Sequence, residues 1–160
     1  VEDETVRNVA RTFGGVEHRI ELVRVKDGVK FYNDSIASSP SRTIAGLRSF
    51  SQKVILIAGG YDKHIPYDVL GPEICAHVKK LFLGGATGPK IRAAVENAPA
   101  YLPGMPEIVD CGDFTKATLA AARAAEPGDV VLMSPASAAF DQFKNFMVRG
   151  QYFKKLVKEL

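Results

Sequence analysis

Five short clusters of small and polar residues hold most of the groups able to do chemistry. They are Asn33-Asp34-Ser35, Gly59-Gly60-Tyr61-Asp62-Lys63-His64, Gly84-Gly85-Ala86-Thr87-Gly88, Cys111-Gly112-Asp113 and Ser134-Pro135-Ala136-Ser137. Any one of them serves equally well as a turn after a strand, which needs Gly, Ser and Asp for backbone reasons. Five together, several offering both a hydroxyl and a charge, favour a site. Lys63 follows a glycine pair, so its ammonium can meet a carboxylate or phosphate while the glycines admit a ligand close to the backbone; the competing role is a solvated turn lysine. Ser38 and Ser39 precede Pro40 at a helix start, a position suited to an anion and equally to simple capping. Residues Ser134 to Phe146 bring hydroxyls, amides and Lys144-Asn145 to the start of the last helix.

Other chemistries are not supported. His18, His64 and His77 share no ligand spacing, and neither a Cys-His cluster nor a pair of carboxylates at helical spacing is present, so no metal site and no acid–base dyad are expected. A phosphate loop needs Gly-x-x-x-x-Gly-Lys-Ser/Thr. The nearest stretch, Gly84-Gly85-Ala86-Thr87-Gly88-Pro89-Lys90, places proline where the lysine is required. With no Gly-x-Gly-x-x-Gly either, a nucleotide can be only a shared ligand.

The elements that must position these clusters follow from periodicity. Val6, Val9, Ala10 and Phe13 recur at helical spacing and predict a helix over 2–13, ended by Gly14-Gly15. Arg19 to Val25 alternates, Lys26-Asp27-Gly28 is turn chemistry, and Val29 to Tyr32 resumes the extended pattern, which predicts a β-hairpin. Helices are then expected over 41–50, 72–78, 89–97, 114–125 and from about 141 to 160, with strands over 53–58, 80–83, 107–109 and 129–133. Runs such as Val54-Ile55-Leu56-Ile57 and Val130-Val131-Leu132-Met133 are apolar throughout, as strands covered on both faces must be. The expected fold is α/β: three layers around a doubly wound, mostly parallel, Rossmann-like sheet that opens with a β-hairpin. In such a sheet the clusters fall outside the carboxyl ends of the strands, where ligands bind. Phe143, Phe146, Met147, Gly150, Phe153, Leu156, Val157 and Leu160 form one core-facing stripe of the last helix, with Gly150 allowing close approach.

With 160 residues, 46% of them hydrophobic, the chain can bury one good core but not two ordinary ones. Its 21 basic and 18 acidic residues are interspersed, which argues against nucleic acid or an anionic membrane as partner. No apolar stretch approaches the roughly 20 residues that span a bilayer, and Val-Glu-Asp-Glu is unlike a signal peptide, so a cytoplasmic location is expected. Cys75 and Cys111 are expected to be buried and reduced.

The ordered set Val16-Glu17-His18-Arg19, Tyr32-Asn33-Asp34-Ser35, Ile57-Ala58-Gly59-Gly60-Tyr61-Asp62-Lys63, Ser134-Pro135-Ala136-Ser137-Ala138 and Asp141-Gln142-Phe143-Lys144-Asn145-Phe146 closely resembles the C-terminal domain of the D-glutamate-adding Mur ligases, from about residue 12 to the end. The resemblance implies residues 1–15 as the tail of a preceding central domain or linker and 16–160 as the glutamate-binding domain. It implies an ATP-dependent amide ligase of peptidoglycan precursor synthesis, in which the carboxylate of UDP-N-acetylmuramoyl-L-alanine is activated as an acyl phosphate and attacked by D-glutamate. ATP and Mg would be held mainly by the central domain. By position, D-glutamate contacts fall on Ser38, Lys63, Ala139 and Phe146, with Asn145 beside them, and nucleotide contacts on Arg19 and Asp34, with His18 next to them. No catalytic residue is implied within the domain, which alone should be inactive, and a monomer is expected.

Two positions depart from the family pattern. Ile36 stands where some members carry lysine, and Ala139 where some carry serine. Ser137, Thr87 or Lys144 are candidates to compensate. A glutamate-adding ligase of the related folate type, or a non-catalytic nucleotide or small-anion binding module, are the alternative readings.

Overall fold

A computed structural model of the chain describes residues 15–160. The expected helix over 2–13 and residues 1–14 of the expected tail therefore lie outside the described residues. The first elements among the described residues are a hairpin of β1 (Glu21–Lys26) and β2 (Val29–Asn33), in which Lys26 pairs with Val29. Asp27 and Gly28 make the turn with φ of 51° and 77°, the left-handed pair that lets a two-residue loop match the twist of its strands.

From β2 onward, strands and helices alternate: α1 (Pro40–Leu47), β3 (Val54–Ala58), α2 (Leu70–His77), β4 (Val78–Gly84), α3 (Gly88–Glu96), β5 (Glu107–Gly112), α4 (Phe114–Ala124), β6 (Val130–Met133) and α5 (Phe146–Lys158). The six-stranded sheet has the order β1-β2-β6-β3-β4-β5. Only the β1–β2 pair is antiparallel.

The central strands alternate their side chains between two cores. Val54, Leu56 and Ala58 of β3 and Val130 and Leu132 of β6 pack with Leu47, Leu70, Ile74, Ile91 and Val95 from α1–α3. Ile55, Ile57, Val131 and Met133 point the other way, against Phe114, Ala117, Ala121, Phe153 and Val157 from α4 and α5. This is the expected three-layer arrangement, and it explains why those strands show no polar alternation.

The boundaries differ in three informative places. β5 runs on through Cys111 and Gly112, three residues beyond the expected end, because it is an edge strand whose outer residues Glu107, Asp110 and Gly112 face solvent and so lack an apolar signal. Val78 belongs to β4 instead of the helix before it, since α2 passes straight into the strand with Val78 at φ −120° and ψ 130°. The last helix begins at Phe146, not near 141. Asn145 caps it, its Oδ1 accepting from Val148 N at 2.9 Å. Phe143 thus contributes to the core from a loop, edge-on to Phe114 at 5.3 Å, while Met147 is half exposed and lies off the buried stripe. Cys75 and Cys111 are free thiols but only partly buried, and burial raises both above the ordinary thiol range.

Candidate functional site

Because β2 through β6 run parallel, their carboxyl ends at Asn33, Ala58, Gly84, Gly112 and Met133 share one edge of the sheet, and the five polar clusters meet there. Backbone hydrogen bonds stitch the turns together. Gly59 N donates to Pro135 O at 2.9 Å, Tyr61 N to Ala138 O at 2.8 Å, Thr87 N to Gly60 O at 3.1 Å and Gly85 N to Gly112 O at 3.0 Å. Gly59 has φ 108°, and a Cβ there would lie 1.9 Å from Gly84 O, so only glycine permits this approach.

Beneath the turns lies a buried polar layer. The hydroxyls of Thr87, Ser137 and Tyr67 form a chain with spacings of 2.8 and 2.9 Å, and Thr87 Oγ1 also accepts from Gly60 N. Thr87 and Ser137 are fully buried, so neither is free to stand in for the lysine and serine that some family members carry at the positions of Ile36 and Ala139. Arg149 lies under the same turns with 1% of its surface exposed. Its guanidinium donates to Ser35 Oγ, Ser35 O and Ser137 O, and burial lowers its pKa to about 10.

Two clefts open above this layer. The first, of about 190 Å³, is walled by Arg19, Asp34, Ile36, Arg42, Ala45 and Gly46, among others. Asp34 is buried, and its carboxylate accepts from Ile20 N at 3.2 Å and from Ser134 Oγ at 2.7 Å. Desolvation raises its pKa to about 6, opposed by those hydrogen bonds and by Arg19 and Arg42. His18, the neighbour of Arg19, does not line this cleft. It is 4% exposed, its Nδ1 accepting from Asn33 Nδ2 at 2.9 Å and its Nε2 lying 3.4 Å from Glu17. Asn33 Oδ1 in turn accepts from Ser35 N, and the Asn33 amide also donates to Glu21, so His18 holds the backbone that carries Arg19.

The second cleft, of about 370 Å³, is lined by Ile36, Ser38, Ser39, Arg42, Lys63 and Phe146. Three of the five expected glutamate contacts, Ser38, Lys63 and Phe146, therefore come together from β2–α1, β3–α2 and the start of α5. Ala139 and Asn145 do not line it: Ala139 is 2% exposed, and the Asn145 side chain is occupied in capping α5. Lys63 is exposed and makes no ion pair among the described residues, because the adjacent Asp62 is held by Lys90 at 2.6 Å. That pair keeps Asp62 well below the ordinary carboxylate range.

The sequence reading missed Arg42 and Arg149. Arg42 carried a signal, being a cation in the first turn of a helix that has no acidic residue there. Arg149 carried one too, as a charge at three-residue spacing from Phe146 and four from Phe153 on an otherwise apolar stripe.

The second cleft, with two cations, two hydroxyls and an aromatic wall, suits a small dianion. Neither cleft offers a nucleophile beside a base. Among the described residues no group of three or more His, Cys, Asp or Glu could hold a metal ion, and no helix is long and apolar enough to cross a membrane.

Comparison with known proteins places these features in context. A family model described as the Mur ligase glutamate ligase domain matches residues 18–137. The chain is 57% identical over 166 residues to a UDP-N-acetylmuramoylalanine–D-glutamate ligase of Acetivibrio thermocellus, covering all of this chain and 35% of that protein. It is 51% identical over 157 residues to the ligase of the same name from Clostridium beijerinckii, covering 98% and 34%. The chain thus spans about a third of the length of the curated relatives it matches. In solved structures, its fold resembles a murein peptide ligase from Psychrobacter arcticus with a TM-score of 0.59 at 14% identity, covering 98% of this chain and 33% of that one. A folylpolyglutamate synthase from Thermotoga maritima gives a TM-score of 0.59 at 14% identity, covering 100% and 35%.

Proposed function

Because the chain belongs to the Mur ligase family as its glutamate ligase domain, we propose that it is the amino-acid-binding part of an ATP-dependent ligase that joins D-glutamate to UDP-N-acetylmuramoyl-L-alanine. In this reading residues 16–160 form the C-terminal domain and 1–15 lead in from a preceding one. The observation that carries it is the second cleft: Lys63, Arg42 and two serines converge on the carboxyl edge of the sheet, with no group nearby to activate a carboxylate.

Lys63 offers a charge to one carboxylate, Ser38 and Ser39 donate hydroxyl hydrogen bonds, and Phe146 closes an apolar side against the carbon chain. The open mouth leaves the amine uncovered. ATP, with Mg as its counter-ion, would supply the phosphoryl group that activates the acceptor carboxylate, and the sequence carries no phosphate-loop motif to hold it. The first cleft suits part of the nucleotide: Arg19 offers charge to an oxyanion, and Asp34, ionised at neutral pH, can accept from hydroxyls with the lone pairs left over by Ile20 and Ser134. Reaction then requires another domain to close over this edge and bring the activated carboxylate to the amine.

The test uses the full-length protein with ATP, Mg and UDP-N-acetylmuramoyl-L-alanine, measuring ADP release against a panel of amines. D-Glutamate should support release, and L-glutamate and D-alanine should not. Release that is indifferent to the amine, or that needs L-glutamate and a folate acceptor, overturns the proposal.

A further inference from the structure

Arg42 stands where the two proposed subsites meet. Together with Ile36 it lines both clefts, so it stands on the wall between the nucleotide side and the amino-acid side. It is exposed and makes no hydrogen bond or ion pair among the described residues. It also sits in the first turn of α1, with no acidic residue in that turn to balance it, where the helix field disfavours a cation. Asp34, a carboxylate whose ionisation it supports, already accepts from Ile20 N and Ser134 Oγ. A cation kept where the local field opposes it, without a protein partner, is the kind of local conflict expected at a ligand site.

We propose that Arg42 is a specificity-determining residue that binds the side-chain carboxylate of the incoming amino acid, paired across the second cleft with Lys63 on the other carboxylate. This inference rests on the proposed ligase activity. Two cationic anchors match the two charges of a dicarboxylate, and Lys63 and Arg42 are the two cations lining that cleft. Their chemistry differs usefully. Lys63 is a point charge on a loop, whereas Arg42 projects a planar fork from a helix and can hold a carboxylate through two parallel hydrogen bonds. Arg19 remains in the first cleft to face the nucleotide, so Arg42 is not required there. The arrangement also accounts for Ile36, an aliphatic residue between the clefts that leaves Arg42 as the charge on that wall.

Steady-state kinetics of the full-length protein test this with Arg42→Gln and Arg42→Lys, using D-glutamate and its neutral isostere D-glutamine as amine donors. Losing a charge-assisted bidentate contact should raise the KM for D-glutamate by about 10- to 100-fold in Arg42→Gln, with the KM for ATP changed by less than about 2-fold. The preference for D-glutamate over D-glutamine should shrink by about the same factor. Arg42→Lys keeps the charge but not the fork, and should fall between. An unchanged D-glutamate KM and an unchanged preference, in wild-type protein that does ligate D-glutamate, overturn the role of Arg42 and leave the ligase reading standing. So does a variant whose KM rises for ATP alone. Wild-type protein that does not ligate D-glutamate overturns both.

Discussion

Arg149 grips Ser35 by both its side chain and its backbone, donating through Nε to Oγ at 3.0 Å and through a terminal nitrogen to the carbonyl at 2.7 Å. Ser35 Oγ donates in turn to Phe146 O at 2.7 Å. The β2–α1 turn, which carries Ile36 of the wall between the clefts and leads into the helix that carries Arg42, is thereby tied to the start of α5. Among the described residues no carboxylate lies within ion-pair distance of Arg149, so its charge is solvated by carbonyls and a hydroxyl. Replacing a buried charge by an apolar residue is sometimes harmless, but here it would strand the carbonyls of Ser35 and Ser137. Arg149→Met should therefore lower stability by about 2–4 kcal/mol in denaturant unfolding and weaken D-glutamate and ATP together. A variant as stable as wild type contradicts this role.

Asp34 should leave a pH signature. Burial raises its folded-state carboxyl from about 3.8 to about 6, so between those values the folded protein holds a proton that the unfolded chain has lost. Stability from this group is greatest below pH 4 and declines as pH rises through 6, by about 3 kcal/mol in all. Asp34→Asn removes the titration. The difference in unfolding free energy between variant and wild type should grow in the variant's favour from pH 4 to pH 7, and a difference independent of pH contradicts the assignment.

Gly150 on α5 faces His18 so closely that a Cβ would meet its Nδ1 at 2.1 Å and Asn33 Nδ2 at 3.1 Å. Gly150→Ala should destabilise by about 1–3 kcal/mol through overpacking, although alanine is the better helix former. Combining it with His18→Ala should restore part of the loss, with a coupling of about 1–2 kcal/mol in a double-mutant cycle, because Asn33 keeps its second partner, Glu21. Additive losses would mean that the two do not meet.

The layer order and the edge on which the polar clusters gather were legible because they follow from patterns repeated along the chain: apolar runs in β3 and β6, and small polar turns after each strand. Lys63 and Ser38 stood out for the same local reason, a charged or hydroxyl group beside glycines or a helix start. Arg42 and Arg149 each carried a local signal, a cation in a helix's first turn and a charge on an apolar stripe, but what each does depends on a residue distant in sequence, Lys63 for one and Ser35 for the other. Thr87 and Ser137 misled in the opposite sense. Their types promised ligand contacts, but the fold joins them to Tyr67 in a closed chain of hydroxyls. The start of α5 was misplaced because Phe143 continues the helical spacing from a loop, and only the Asn145 cap marks the true beginning.

The central claim is that the cleft around Lys63 holds the amino acid while the phosphate chemistry is supplied from elsewhere. Lys63→Ala in the full-length protein, assayed for ADP release with D-glutamate and ATP varied in turn, tests it most directly. The expected result is a KM for D-glutamate raised by at least about 10-fold, from loss of one charged contact, and a KM for ATP within about 2-fold of wild type. An unchanged KM for D-glutamate with a raised KM for ATP would place the nucleotide, not the amino acid, in that cleft and contradict the claim.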